Sequence, residues 1–295
     1  MLAFMQLIFR YGFLKWQHIS LSLADWQYVL LVLSTVLLAA GGFVINNIFD
    51  QDTDNVNKPS NVIVGKNISE VAAYNLYFAL NVLGVGIGFY LSNVIMRPGF
   101  AAIFILIAGT LYIYATSLKQ MLLIGNIVVA LMLSFSLIII GIFDLFPATY
   151  EGNQVKMGNI FSILLDYATF AFLINFIREI VKDIEDVNGD YNQGMNTLPI
   201  ALGSARTSKV VFALSFIPTL LLFYYINKYF FANNLYIITI YSLVFIAGPL
   251  IYFTVNIWSA ANAKDFSHLS GILKLVLLFG SISIAVLTYN ISHHA

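Results

Sequence analysis

Long apolar runs alternate with short polar connections along the whole chain. A helix that crosses the roughly 30 Å hydrocarbon core of a bilayer needs about 20 apolar residues, and eight segments meet or nearly meet that requirement. They are residues 26–48, 70–96, 99–117, 121–143, 159–181, 207–226, 235–257 and 270–290. Because backbone groups in lipid must form their hydrogen bonds within the same segment, all eight segments are predicted to be helices.

The first 19 residues are apolar enough to form a ninth helix, but Arg10 and Lys15 interrupt them. We expect this segment to be a partial span or a helix at the membrane interface. It lacks a basic stretch followed by a small-residue cleavage site, so it is not predicted to be a signal peptide. Residues 1–295 are predicted to form one all-α domain, a polytopic membrane helical bundle of eight to nine transmembrane helices.

The composition supports a membrane protein and excludes several other classes. Hydrophobic residues make up 60% of the chain and charged residues 9%, whereas soluble domains carry about 25% charged residues. Most of the exterior must therefore face lipid. With 14 basic and 14 acidic residues, the chain has no net charge that would favour nucleic acid. Without cysteine, it has no disulfide, no thiolate nucleophile and no Cys-bound metal.

Two acidic loops are predicted to lie on the same side of the membrane. Residues 46–69 follow the first apolar segment and residues 182–206 follow the fifth, so four crossings separate them. Eight basic residues lie on that side: Lys58, Lys66, Lys119, Arg178, Lys182, Arg206, Lys209 and Lys264. Five lie on the other: Arg10, Lys15, Arg97, Lys156 and Lys228. Because cytoplasmic loops are enriched in Lys and Arg, we expect an integral protein of the cell (inner) membrane whose acidic loops face the cytoplasm.

Each acidic loop carries polar side chains at a spacing of four residues. The first stripe comprises Asn46, Asp50 and Asp54, and the second stripe comprises Lys182, Asp186 and Asp190. Residues four apart lie on one face of a helix, so each stripe is predicted to lie at the cytoplasmic end of a helix. Asp183 is predicted to lie on an adjoining face of the second helix.

The chemistry of the two stripes points to a metal and phosphate site. Carboxylates four apart repel each other, so a compensating group is expected. Oxygen donors suit Mg²⁺, which binds one or two carboxylates together with waters and substrate phosphates. Zinc would favour His or Cys, and the four His residues show no ligand spacing. The alternative is that these are solvated loop carboxylates, but two stripes on one face, each flanked by basic residues, favour a functional site.

The order of these motifs resembles that of a known family. The chain shows NxxxDxxxD at 46–54, then the pair Lys58-Pro59, then DxxxD at 186–190 followed by Gly and Thr-Leu-Pro. From about residue 26 to the last apolar segment, it resembles the UbiA superfamily of intramembrane prenyltransferases. The stretch REIVKDIEDVNGD (178–190) is most similar to the geranylgeranylglycerol-phosphate geranylgeranyltransferase branch. The stretch YATSLKQMLLIGN, which contains Lys119 and Asn126, is similar to a short cytoplasmic turn of the family.

The resemblance implies a bundle around a central cavity open to lipid, in which two Mg²⁺ ions bridge carboxylates and the diphosphate of a polyprenyl donor. By position, Asn46, Asp50 and Asp54 would bind one ion, and Asp186 and Asp190 the other. The four Asp residues among these are the expected catalytic residues, together with Asp183, which is expected to be an outer residue or an acceptor-side base. The expected contacts to diphosphate or acceptor phosphate are Lys58, Lys119, Arg178 and Lys182. Tyr112 and Tyr114 are expected to stabilise the prenyl carbocation, because aromatic faces attract cations.

The implied reaction transfers a prenyl group, with geranylgeranyl diphosphate as the expected donor, to a lipophilic acceptor. The basic residues near the second stripe favour an acceptor that bears a phosphate, such as geranylgeranylglycerol phosphate. An aromatic acceptor, as in quinone biosynthesis, and a cation-coupled membrane transporter stay open as alternatives. A CDP-alcohol phosphatidyltransferase would need a D-G-x-x-A-R run, which the chain lacks. No obligate protein partner is indicated.

Three features depart from the family pattern. The family usually has Asp where this chain has Asn47, which removes one charge beside the first stripe. A basic residue commonly follows the Lys-Pro pair, where this chain has Asn61, so a phosphate contact is expected to be weaker. The Arg-x-x-Asn signature of the family's opening helix is not recognisable in residues 1–19. Because that helix lines the cavity in the family, acceptor specificity is the property expected to differ.

Overall fold

The computed structural model describes residues 1–57, 59–60 and 62–293. The structure is 84% helical, and no β-strand occurs in the described ranges, which confirms the predicted all-α class. The α-helices are α1 (Leu2–Gly12), α2 (Asp25–Phe49), α3 (Gln51–Asn57), α4 (Glu70–Val94), α5 (Ala101–Thr116), α6 (Ile124–Ile140), α7 (Gln154–Glu185), α8 (Val187–Asn192), α9 (Leu198–Leu202), α10 (Ser204–Tyr225), α11 (Tyr236–Tyr241), α12 (Gly248–Ile257) and α13 (Ala263–Ser292).

Eight helical segments in the described part of the chain are long and apolar enough to cross a membrane. They are Asp25–Phe49, Glu70–Val94, Pro98–Thr116, Ile124–Ala148, Gln154–Glu185, Ser204–Asn233, Tyr236–Ile257 and Ala263–Ser292. Each coincides with one predicted apolar segment, so the eight predicted spans are confirmed. Three of them include a π-helical turn, at Gly141–Leu145, Ile226–Phe230 and Ser242–Ala247.

The short helix α1 is a partial span that packs inside the bundle. Its 11 residues extend about 16 Å at 1.5 Å per residue, which is roughly half the hydrocarbon thickness. It packs against α2, α6 and α13, and Phe9 and Arg10 are buried. Arg10 donates hydrogen bonds to Asp144 Oδ2 at 2.6 Å and to the Leu23 carbonyl at 2.5 Å. This buried ion pair explains how a charged residue is accommodated in an apolar segment.

Two clusters of buried apolar side chains form the core, and α7 contributes to both. The first cluster joins α1, α2, α4, α5 and α6, and it includes Leu164 and Ala168 of α7. The second cluster joins α10, α12 and α13, and it includes Ile177 and Val181 of α7. The 32 residues of α7 therefore connect the two halves of the bundle, and the second stripe begins at the end of this helix.

Candidate active site

The first stripe keeps its helical register through a break in the helix. Although α2 ends at Phe49 and α3 begins at Gln51, the Asp50 N–H donates to the Asn46 carbonyl and the Asp54 N–H donates to the Asp50 carbonyl, both at 2.8 Å. The same backbone bonds connect the members of the second stripe, Lys182, Asp186 and Asp190, at 2.9 and 3.2 Å. In both stripes, the side chains therefore stay one helical turn apart.

The two short helices that follow the stripes, α3 and α8, contact each other directly. The Asn57 amide donates to the Asp186 carbonyl at 2.8 Å, and its oxygen accepts from the Gly189 N–H at 2.9 Å. A Cβ at Gly189 would lie 2.4 Å from Asn57 Nδ2 and 2.8 Å from the Thr53 carbonyl, so only glycine permits this approach. The two acidic motifs, which are far apart in sequence, thus lie together at one end of the bundle.

Polar contacts between Asn46, Asp50 and Lys119 engage both carboxylate oxygens of Asp50 and leave the Asn46 side-chain oxygen available. Asn46 donates from Nδ2 to Asp50 Oδ2, and the Lys119 amine donates to Asp50 Oδ1. Asn46 Oδ1 is buried and has no hydrogen-bond partner among the described residues. A buried polar atom without a partner is costly, so the position of this oxygen beside Asp50 indicates a ligand-binding atom.

The short helical turn Leu118–Gln120 holds Lys119 against the first stripe. A Cβ at Gly125 would lie 2.8 Å from Lys119 Cα, so the start of α6 packs tightly on this turn. The Gln120 carbonyl accepts a hydrogen bond from the Asn196 N–H at 2.9 Å, which ties the turn to the segment that follows α8. The turn that carries Lys119 is therefore held by the start of α6 on one side and by the segment after α8 on the other.

Asp183 and Tyr114 lie between the two stripes. Asn126 donates from Nδ2 to Asp183 Oδ2 at 2.7 Å, which fixes the carboxylate on the side of α7 that faces α6. The Tyr114 phenol lies within electrostatic range of Asp50, Asp183 and Asp190. This arrangement brings residues of α5, α6, α7 and α8 around one space.

The structure does not bring Tyr112 to this group. Residues two apart on a helix point to nearly opposite sides, and only Tyr114 faces the carboxylates. Tyr112 lies 6.4 Å from the Tyr77 ring, between ring centroids, and 45% of it is exposed. The Tyr112 ring therefore lies on the side of α5 that faces α4 and the bundle exterior, and its expected role at the site stays a prediction.

The predicted phosphate contacts at the second stripe form a paired group. Arg178 Nη1 donates to Glu179 Oε1 at 3.0 Å, and Lys182 Nζ donates to Glu179 Oε2 at 3.1 Å. Glu179 is buried and was not predicted from the sequence, because a carboxylate inside REIVKD carries no spacing signal of its own. The expected contact at Lys58 and the departure at Asn61 lie outside the described residues.

An apolar cavity of about 340 Å³ lies between α1, α6, α7, α10 and α13. Its wall includes the apolar side chains of Met5, Phe9, Leu137, Phe170, Leu222 and Leu277. Its polar lining includes Asp166, Asn175, Arg178 and Lys274. The carboxylates of the two stripes do not line this cavity. The cavity wall reaches toward the acidic site along α7, because Arg178 in the wall lies one turn before Lys182 of the second stripe.

Two of the cavity residues, Asp166 and Lys274, were not predicted as functional. Each is an ionisable residue inside an apolar segment, and such residues usually mark a function. That signal was available in the sequence. Its connection to a cavity was not available, because the cavity is built from helices that are far apart along the chain.

The acidic site fits Mg²⁺ that is partly coordinated by a substrate. Over the described ranges, no three His, Asp or Glu side chains are grouped closely enough to hold a metal ion by themselves. Mg²⁺ does not need such a group, because it usually keeps waters and binds one or two carboxylates together with substrate phosphates. The oxygen-only donor set and the available Asn46 Oδ1 match that preference.

Comparison with known proteins identifies the family. The model of the UbiA prenyltransferase family matches residues 10–282, which is most of the chain. The chain belongs to the UbiA prenyltransferase family. With eight membrane-crossing segments, this prenyltransferase family member is an integral membrane protein.

Two relatives in this family carry the same name. The chain is 31% identical over 269 residues to digeranylgeranylglyceryl phosphate synthase of Methanobrevibacter smithii, which covers 91% of this chain and 89% of that protein. It is 32% identical over 198 residues to the synthase of the same name from Korarchaeum cryptofilum. That second match covers 66% of this chain and 63% of the relative.

Solved structures share the fold. A UbiA homologue from Aeropyrum pernix K1 superimposes with a TM-score of 0.70 at 16% identity, over 96% of each chain. A homologue from Archaeoglobus fulgidus, solved with DMAPP and Mg²⁺ bound, gives a TM-score of 0.56 at 18% identity, over 96% of each chain. Both support the helical arrangement described above.

Proposed function

We propose that this chain is a Mg²⁺-dependent prenyltransferase that transfers a prenyl group from a polyprenyl diphosphate to a lipophilic acceptor. The expected donor is geranylgeranyl diphosphate, and the expected acceptor is geranylgeranylglycerol phosphate or a related glycerol-phosphate lipid. The names of the relatives support the acceptor. The homologue bound to DMAPP and Mg²⁺ supports the donor class and the metal.

The observation that carries this proposal is the contact between α3 and α8 at Asn57 and Gly189. It brings the two stripes to one place, as a site that binds a diphosphate through shared cations requires. In the proposed site, Asn46, Asp50 and Asp54 would hold one Mg²⁺, and Asp186 and Asp190 would hold a second. When bound, Mg²⁺ would neutralise the charge of the diphosphate leaving group.

The residues of the chain account for the remaining steps. Lys119 is positioned to contact the diphosphate, which takes the electron pair when the bond between the prenyl carbon and oxygen breaks. The resulting allylic cation lies near Tyr114, whose ring face favours positive charge. The acceptor hydroxyl oxygen then bonds to the prenyl carbon. Its proton goes to Asp183, because Asn126 holds one oxygen of that carboxylate and leaves the other to accept it.

The proposed reaction takes place at the cytoplasmic face of the cell membrane. The excess of basic residues on the side of the two stripes supports this orientation. Because the chain contains no cysteine, the single variant Asn55→Cys can report on which side of the membrane α3 lies. We expect a membrane-impermeant maleimide to label this variant only after the membrane is opened, and to label Glu151→Cys in intact cells. The reverse pattern would contradict the orientation.

Purified protein in detergent or nanodiscs tests the reaction. Labelled geranylgeranyl diphosphate is supplied with geranylgeranylglycerol phosphate, or with an aromatic acid, and products are identified by mass. We expect an ether-linked product with the phosphate lipid, and inorganic diphosphate in equal amount. Turnover with the aromatic acid alone would overturn the acceptor assignment. Absence of turnover, combined with cation flux in proteoliposomes, would favour the transporter alternative.

A further inference from the structure

Three cationic side chains lie together where α7 packs against α13. Arg178 and Lys182 are one turn apart on α7, and Lys274 of α13 lies within electrostatic range of both. Arg178 and Lys274 line the same cavity. We call this set, Arg178, Lys182 and Lys274, the basic cluster.

The basic cluster has three positive charges, and two carboxylates act on its Lys274, those of Glu179 and Glu185. Glu179 is shared between Arg178 and Lys182, one carboxylate oxygen to each. Lys274 forms no salt bridge with any residue that the structure describes. Arg178 Nε is buried and has no hydrogen-bond partner within the described chain. Because cations beside lipid are costly unless paired, these unpaired groups indicate a site for an anion.

The shape of the neighbouring space identifies the kind of anion. Arg178 and Lys274 lie in the wall of a cavity that is otherwise mainly apolar, and its volume of about 340 Å³ falls in the usual range for small-molecule sites. A ligand that fills it must combine a hydrocarbon tail with a negative head group. A phosphate monoester carries a charge of about −1.5 to −2 near neutral pH, which is the sign of charge that these basic side chains attract.

The wall of the cavity does not include the carboxylates of the proposed diphosphate site. A phosphate bound at Arg178 and Lys274 would therefore be held by basic side chains and not by the carboxylates of the two stripes. Along α7, Arg178 and Asp183 are five residues apart, which is about 7.5 Å of helix rise and about 140° around the helix axis. The acceptor would therefore extend from the basic cluster around α7 to place its free hydroxyl at Asp183.

We propose that the basic cluster binds the phosphate monoester of the acceptor lipid, whose prenyl tail occupies the cavity between α1, α7, α10 and α13. This inference rests on the proposed prenyl transfer and extends it by assigning an acceptor site. Lys274 becomes the residue that selects a phosphate-bearing acceptor, and the donor diphosphate binds at the carboxylates of the two stripes, Asp50, Asp54, Asp186 and Asp190.

The test compares Lys274→Met with the wild-type full chain. We expect the KM for geranylgeranylglycerol phosphate to rise about tenfold or more, because a hydrogen bond to a charged group contributes that much. The KM for geranylgeranyl diphosphate should not change. Turnover of phosphate-free geranylgeranylglycerol should be equal in the two proteins. Lys274→Arg should keep most of the acceptor affinity, and Lys264→Met, an exposed position on the same helix, serves as the matched control.

Direct binding of labelled geranylgeranylglycerol phosphate, without donor or Mg²⁺, separates the outcomes. Weaker binding to Lys274→Met than to Lys264→Met supports the site even if no turnover is found, in which case only the proposed reaction fails. A raised KM for the donor alone would assign the cluster to the diphosphate and overturn the inference. An equal loss with the phosphate-free acceptor would indicate a structural role and would also overturn it.

Discussion

Asn57 accepts a hydrogen bond from the Gly189 N–H at 2.9 Å, and this contact joins the two acidic helices. Asn57 also donates to the Asp186 carbonyl at 2.8 Å, so one amide satisfies two backbone groups at the end of α7. The contact between the two helices that follow the stripes therefore includes both ends of the Asn57 amide and requires that position 189 has no side chain.

The first prediction concerns that contact. Gly189→Ala would place a Cβ 2.4 Å from Asn57 Nδ2 and 2.8 Å from the Thr53 carbonyl, so α3 and α8 must separate. We expect kcat to fall at least about tenfold, because small displacements of catalytic groups have large effects. Gly158→Ala, where a Cβ meets nothing within 4 Å, is the matched control. Equal activity of the two variants in a steady-state assay would show that the contact does not matter.

The second prediction concerns the carboxylates. Each of the substitutions Asp50→Asn, Asp54→Asn, Asp186→Asn and Asp190→Asn is expected to reduce turnover by roughly 10²–10³-fold or more, as loss of a charge-stabilising group does. The proteins should still insert and elute as folded species by size exclusion. Asp52→Asn, which removes an exposed carboxylate from the same helix, should retain activity. Full activity in two of the four variants would contradict the metal-binding and catalytic roles assigned to these carboxylates.

The third prediction concerns the metal. Incubation with EDTA should abolish turnover, and added Mg²⁺ should restore it. Asn46→Ala removes the buried oxygen that has no partner among the described residues, so the Mg²⁺ concentration for half-maximal activity should rise at least about tenfold. Asn55→Ala, at an exposed position of α3, provides the comparison. Turnover that persists in EDTA would exclude a divalent cation.

The fourth prediction concerns stability. Arg10 and Asp144 form a buried ion pair at 2.6 Å, so Arg10→Met alone should lower the free energy of unfolding by about 3–5 kcal/mol, because it leaves a buried charge. The double variant Arg10→Met/Asp144→Leu should recover most of that loss. Lys15→Met breaks only the exposed pair with Asp25 and should cost at most about 1 kcal/mol. Chemical unfolding in micelles measures the free energy of unfolding of all three variants. An equal decrease for Arg10→Met and Lys15→Met would refute the prediction.

The fifth prediction concerns the far end of the cavity. Asp166 lies 12 residues before Arg178 on α7, or about 18 Å of helix rise, and it interacts with the Tyr225 phenol. If an acceptor tail enters from Arg178, this polar pair limits its length. Asp166→Leu should therefore favour an acceptor with a fifth isoprene unit about tenfold relative to the natural length, since added apolar contact gives that order of discrimination. Competition between the two acceptors, read by product mass, tests this, and an unchanged ratio would refute it.

The sequence predicted the eight spans because each is a continuous apolar run, which depends only on composition within a window. It also predicted that the two stripes share one side, because that follows from counting crossings. Their direct contact through Asn57 was not predictable, since no spacing rule connects residues that are more than 100 positions apart. The side chains of each stripe stay one turn apart even though the helix is interrupted at Asp50 and at Asp186. Backbone hydrogen bonds across these two positions keep the helical spacing.

The positions of Tyr112 and Lys274 depend on how the helices pack. Helical spacing states that Tyr112 and Tyr114 cannot both face one site, but it does not state which one does. That choice depends on how α5 is rotated against α4 and α7, which is a property of packing. The position of Lys274 also depends on packing, because its neighbours Arg178 and Lys182 lie on a helix nearly 100 residues earlier in the chain.

The continuity of α7 restricts how this enzyme can diversify. One residue inserted between Asp166 and Arg178 would rotate the rest of α7 by about 100° relative to the part before the insertion. The second stripe, which follows α7, would then no longer face the first stripe. An insertion or deletion in this stretch that is not absorbed as a π-turn should therefore abolish activity. New substrate preferences would then arise through side-chain substitutions on α7, while the length of this helix stays the same.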